Sequence, residues 1–200
     1  MRRVLIIAAW LLLFGELWSG ASESAWRRME LPPESARLVR LAETTRDPRA
    51  AARLHAEAIR LCPSNGPALY GLAYLMLAQD RPADALKIFR RLNALFPGEA
   101  DIAAGLAAAI VRLPGLRRPL AREGLACAER AVAQQPEFPE AWHLLSLLRH
   151  FDGDYSGAAE AARRAIQCDA QNPSDPETTA RYQQQEIACT DAVLAFSPLD

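Results

Sequence analysis

Residues 66–99 read GPALYGLAYLMLAQDRPADALKIFRRLNALFPGE, and the spacing of their apolar side chains decides the fold. Leu69, Leu72, Ala73 and Met76 recur at three- and four-residue steps, which places them on one face of a helix. Asp80-Arg81-Pro82 breaks that pattern, and Ala85, Phe89 and Leu92 resume it on a second helix. Pro97 then stops the chain, because it lacks the amide hydrogen that a further turn would need. Two amphipathic helices around a short break make a helical hairpin.

The hairpin repeats. Pro63 and Pro97 lie 34 residues apart, as do Ala51 and Ala85, and Pro136 follows Pro97 by 39. Aligned on these, the chain falls into four units at 32–65, 66–99, 100–138 and 139–172. The extra length of the third sits at Leu113-Pro114-Gly115-Leu116-Arg117-Arg118, a turn by composition. A lone hairpin cannot bury its apolar face, whereas several in succession form a continuous core, so at least about three are needed. Small residues at Ala51, Ala85, Gly124 and Ala158 let helices approach closely. Residues 173–200 supply a capping helix and tail, polar from Thr178 to Gln185 and with an apolar strip at Ile187, Ala188, Val193 and Leu194.

The run Pro139–Asn172 resembles a tetratricopeptide repeat (TPR), whose pattern is Trp-x2-Leu-Gly-x2-Tyr, then Ala-x3-Phe-x2-Ala and Pro. Trp142, Leu145, Ala158 and Ala165 match it. Ser146 stands for the small glycine, Arg149 departs from the tyrosine, and Ala162 replaces the aromatic. The first unit is the most degenerate, with Ser35 where tryptophan is expected. The resemblance implies an all-α fold, a right-handed superhelix of antiparallel hairpins whose first helices line a concave groove. It also implies a protein-protein interaction scaffold. Carried over position by position, the partner-binding groove includes Arg40, Tyr70, Tyr74, Leu77, Asp101, Ala104, Ala108, Val111, His143, Leu147 and His150. Chaperone-binding members clamp a terminal carboxylate with Lys and Asn; here Ala36, Arg40, Tyr70 and Tyr74 occupy those places, so the clamp is missing. The strip that remains is apolar and aromatic with a few charges, suited to a helix or peptide of another protein. Tyr70 and Tyr74 can equally pack on neighbouring hairpins, or the chain's own linker can fill the groove.

Catalytic and metal chemistry find little support. His143 and His150 share a helical face but stand about 10.5 Å apart along the axis, too far to hold one zinc ion. Asp152-Gly153-Asp154-Tyr155-Ser156-Gly157 imitates the start of a calcium loop, yet Arg163 occupies the twelfth position, where a bidentate Glu belongs. Nucleophile-elbow, zinc-protease, phosphate-loop and dinucleotide fingerprints are absent, so no enzyme, cofactor or metal is expected. With 23 basic against 24 acidic residues the chain has a net charge of -1 and no field to hold nucleic acid. Ile102–Val111 is apolar, but ten residues make half a membrane span, and it reads as a buried helix.

The amino terminus reads as an address. Arg2-Arg3 precede an 11-residue apolar run from Val4 to Phe14, and Ser19-Gly20-Ala21 offer a cleavage site. Residues 1–21 are thus a signal peptide or an N-terminal membrane anchor, followed by a linker at 22–31. Either reading exports the body to the periplasm or another extracytoplasmic space, with any membrane contact made through the uncleaved segment. Export allows oxidation of Cys62, Cys127, Cys168 and Cys189. Cys168 with Cys189 is the candidate disulfide, since the capping helix is expected to fold back on the helix that ends at Cys168; the alternative is that all four are buried thiols.

Overall fold

The computed structural model describes residue 24 and residues 26–196, all helix, turn or irregular chain without a strand. The expected signal peptide or anchor at 1–21 lies outside the described residues. Among the described residues nine helices run in order: α1 Pro33–Thr44, α2 Pro48–Leu61, α3 Gly66–Ala78, α4 Pro82–Leu95, α5 Ala100–Val111, α6 Arg118–Gln134, α7 Pro139–Asp152, α8 Tyr155–Gln171 and α9 Pro176–Phe196. None of these helices is long and apolar enough to cross a membrane.

Local chemistry sets the helix ends. Proline occupies the first turn of α1, α2, α3, α4, α6 and α7, where its missing amide hydrogen breaks no helical bond. Asp47 caps α2 by accepting from Arg49 N at 3.0 Å, and Asn65 caps α3 by accepting from Ala68 N at 2.9 Å. Gly153 ends α7 in the left-handed region at φ 93°, a conformation that costs a residue with a Cβ more than it costs glycine. Asp154 then caps α8 through Gly157 N at 2.9 Å. The apparent start of a calcium loop is therefore a helix-to-helix junction.

The chain divides between Ile102 and Ala103 into two compact units. In the first, α1 pairs with α2 and α3 with α4, while α3 also packs on α2. Its core centres on Ala58, Ala68, Leu69, Ala73, Phe89 and Leu92, each at most 2% exposed. Ser35, at the position the repeat pattern gives to tryptophan, compensates with hydrogen bonds: it donates to Ala58 O at 2.9 Å and accepts from Asn65 Nδ2 at 2.8 Å. Full burial of such polar groups is tolerated because each has a partner.

In the second unit α7 packs on α6 and α8, and α9 folds back along α8 with part of its surface on α7. Gly124 on α6 leaves room for Ile110 and Leu148: a Cβ there would lie 3.1 Å from each. Asp169 organises the turn into α9, accepting from Ser174 N at 2.9 Å and Thr179 Oγ1 at 2.6 Å. The inward face of α9 is Thr178, Tyr182 and Cys189, with Val193 beside Cys189. Of the apolar strip read from the sequence, Val193 packs inward, while Ile187 and Leu194 do not. Ile187 and Leu194 are 58% and 74% exposed, because the seven-residue step from Tyr182 to Cys189 fixes which face meets α8.

Candidate functional site

On the first unit, α3 presents Tyr70 and Tyr74 one turn apart, and both rings meet Phe89 of α4 edge-on, with centroids 6.1 and 5.4 Å away. The two tyrosines thus belong to the hairpin's packing. The linker covers part of Tyr70. Trp26 stacks on Tyr70 with centroids 4.5 Å apart and planes 25° apart. The Arg27 guanidinium lies 4.4 Å from the Trp26 ring centroid and 5.7 Å from that of Tyr70. Such a cation over aromatic faces contributes about 0.5–1 kcal/mol at exposed sites and more when desolvated.

Asp101, in the first turn of α5, anchors this segment from beneath. Its Oδ2 accepts from Trp26 Nε1 at 3.0 Å and Ser24 Oγ at 3.4 Å, and lies 3.8 Å from Arg27 Nη2. Its Oδ1 accepts from Ile102 N at 2.8 Å. Burial raises the Asp101 carboxyl above the usual range, opposed by the Arg27 charge and the bonds from Ile102 and Trp26. Burial also holds the Tyr70 hydroxyl well above its ordinary value, with Tyr74 and Asp101 adding to the shift. Gly66 N donates to Met29 Sδ at 3.3 Å, so Met29 joins Ser24, Trp26 and Arg27 in the contact.

The other groove positions fare differently. Arg40 is exposed on α1, facing Glu43, a carboxylate that also feels Arg27. Leu77 is buried in the core. On the second unit Ala104 is buried, and Ala108, Val111 and Leu147 are half-buried. His143 and His150 lie under α9: His143 meets the Tyr182 ring at 5.0 Å, while His150 meets Tyr155 at 5.2 Å. Tyr182 Oη donates to Glu140 Oε2 at 3.1 Å. Burial lowers the His143 pKa, and its Nδ1 has no hydrogen-bond partner among the described residues. These two histidines therefore hold the capping helix.

The Cys168–Cys189 disulfide is not formed, and all four cysteines are free thiols. Cys168 donates to Pro136 O at 3.4 Å. Cys189 is fully buried, 3.5 Å from Ser146 Oγ, 3.2 Å from Gln185 Nε2 and 3.5 Å from His150 Nδ1. The capping helix carries Cys189 past the end of α8 where Cys168 sits, to the level of Ala158 and Ala159. Burial pushes the Cys189 thiol up, which leaves it a poor nucleophile despite the neighbouring imidazole. Among the described residues no three His, Cys, Asp or Glu side chains cluster to hold a metal.

Sequence reasoning did not single out Trp26 and Arg27. The available signal was a large aromatic residue within the polar stretch Ser22–Glu30, which a solvated linker does not need.

Hairpins of repeating length define a helical-repeat interaction module. Tetratricopeptide repeat families match residues 45–110 and 120–173, more than half of the sequence between them, and the chain belongs to the tetratricopeptide repeat family. The family's repeats serve protein-protein contact, and that is the class of function this fold carries. No curated protein matches the chain by sequence. Among solved structures it is similar to MamA residues 41-end from Desulfovibrio magneticus RS-1, at 14% identity and TM-score 0.61, over 84% of this chain and 100% of that one. It is also similar to a thermophilic TPR protein of Thermus thermophilus, TTC0263, at 18% identity and TM-score 0.57, over 80% and 99%. A third, YrrB, described as a TPR protein with an unusual peptide-binding site, shares 16% identity at TM-score 0.57, over 82% and 85%. At these identities the likeness is one of fold.

Proposed function

We propose that this protein is a non-enzymatic scaffold or assembly factor outside the cytoplasm, which holds a helix or peptide of a partner protein on the first-helix face of its repeats. The observation that carries the reading is the seating of Trp26, Arg27 and Met29 on α3 and Asp101: this face already binds an irregular segment through ring stacking and a buried carboxylate. Export rests on the basic and apolar opening of the sequence and on Ser19-Gly20-Ala21.

A photo-crosslinker at Arg40, exposed beside that face, tests the partner. In intact cells it should capture one protein reproducibly, in the envelope fraction. Capture of nothing, or a chain that stays full-length in the cytoplasm, would overturn the reading. Native intact mass separates loss of residues 1–21 from a retained anchor.

A second reading, a permanent subunit of an envelope complex, is favoured by the outer surface of α9. There Ile187 and Leu194 are 58% and 74% exposed. A permanent subunit keeps fixed stoichiometry through salt and detergent washes, whereas an assembly factor is lost.

A further inference from the structure

The contact made by Trp26 and Arg27 has the anatomy of a ligand site rather than of a hairpin core. Asp101 is 1% exposed, yet it carries its charge into the pocket and meets donors from a segment outside the repeats. An isolated buried carboxylate is costly, so the pocket requires a donor to occupy it. Tyr70 supplies a platform for one flat ring. Gly66 supplies the clearance: a Cβ there would lie 2.9 Å from Trp26 Cβ and 3.0 Å from its carbonyl oxygen. The occupant reaches the pocket through side chains. Ser24, Trp26, Arg27 and Met29 each reach the pocket through a side-chain atom, while the Arg27 N to Ser24 O bond at 2.9 Å only turns the segment on itself. Arg27 also stays solvent-exposed. Another segment bearing the same groups can make the same contacts.

We infer that the Tyr70–Asp101 pocket is a recognition site for a partner segment bearing an aromatic ring with a hydrogen-bond donor followed by an arginine, and that Trp26-Arg27 occupies it in cis until such a segment displaces it. This deepens the scaffold reading and rests on it. The ring of the incoming residue stacks on Tyr70, its donor reaches Asp101, and its guanidinium lies over both rings beside the same carboxylate. Selectivity follows from the carboxylate. A purely apolar side chain would leave Asp101 Oδ2 buried without a donor, and an acidic segment would meet like charge. Cis occupancy lowers the apparent affinity for the partner by the fraction of molecules whose pocket is open.

The test uses the full chain and a fluorescent peptide of residues 22–31, SESAWRRMEL. Trp26→Ala/Arg27→Ala, shown to be folded by circular dichroism, should bind the peptide at least about tenfold more tightly than the wild type. Adding Asp101→Asn, or changing the peptide's tryptophan to alanine, should abolish that gain. A folded, opened chain that ignores the peptide overturns the inference. Should that variant not fold, hydrogen exchange on the wild type decides. The unlabelled peptide at about 10 mM, above the millimolar effective concentration of a short tether, should speed exchange of residues 26–30 at least twofold, and unchanged exchange overturns the inference. Peptide binding without any partner captured at Arg40 would leave this inference standing and remove the scaffold reading. A captured partner that binds the opened variant no better than the wild type would do the reverse.

Discussion

The indole N–H of Trp26 donates to the Asp101 carboxylate at 3.0 Å, across 75 positions of sequence. This bond ties a residue before the first repeat to the opening turn of α5, and it explains why a linker tryptophan is only 2% exposed. It also gives the first unit a polar contact that hairpin packing alone does not provide. The proposed interaction face is built around that pair.

His55 makes the first unit sensitive to acid. Its ring is 3% exposed with Nδ1 unpaired among the described residues, and burial pushes its pKa from 6.5 down to about 4. The unfolded chain protonates first, so stability is complete above about pH 6.5 and is lost as pH falls toward 4, by up to about 3 kcal/mol. His55→Leu should flatten the pH dependence of denaturant melts over that window by about one proton. An unchanged slope would remove His55 as the cause.

Gly71 faces His55 so closely that a Cβ would lie 2.6 Å from the ring Nε2. Gly71→Ala should therefore destabilise the chain by about 1–3 kcal/mol. Combined with His55→Ala, the same change should cost less than the two single changes added together. Additive effects in chemical denaturation would show that the two sites do not share this space.

The free thiols predict an order of reaction. Cys62 and Cys168 are half-buried, whereas Cys127 and Cys189 are 6% and 0% exposed. Without prior reduction, iodoacetamide should label Cys62 and Cys168 first, and Cys189 only as α9 opens. Peptide mapping that finds Cys168 and Cys189 joined would contradict the seating of α9.

Tyr182 closes the second unit through His143 and Glu140. Tyr182→Ala should cost about 3–5 kcal/mol, the range for truncating a buried aromatic, and should raise hydrogen exchange along α9 before α6 and α7 respond. Uniform exchange would place α9 inside one cooperative unit with them.

The hairpins were legible because each rests on local signals: apolar steps of three and four, a proline in the first turn and a proline or turn after the last. The 34-residue spacing of Pro63 and Pro97 required no tertiary information. The face of α9 was misread because Ile187 and Leu194 satisfy the same periodicity as Tyr182 and Cys189, and only the position of α8 chooses between them. The disulfide failed for the reason that a rise of about 1.5 Å per residue carries Cys189 beyond Cys168. Tyr70 and Tyr74 share one face of α3, as their four-residue spacing implies, and the sequence left open whether the linker fills the groove beside them; which linker residue meets Tyr70 was not legible. That contact depends on a long-range pairing of Trp26 with Asp101, and no local pattern encodes a partner so distant.

A double-mutant cycle on Trp26→Phe and Asp101→Asn tests this pairing most directly, because phenylalanine keeps the ring on Tyr70 and asparagine keeps the shape of the carboxylate. Equilibrium denaturation of the four full-length chains should give a coupling of about 1 kcal/mol or more, as a buried charge-assisted hydrogen bond requires. A coupling within about 0.3 kcal/mol of zero would mean that Trp26 does not bond to Asp101 in solution, and would contradict the account of the interaction face.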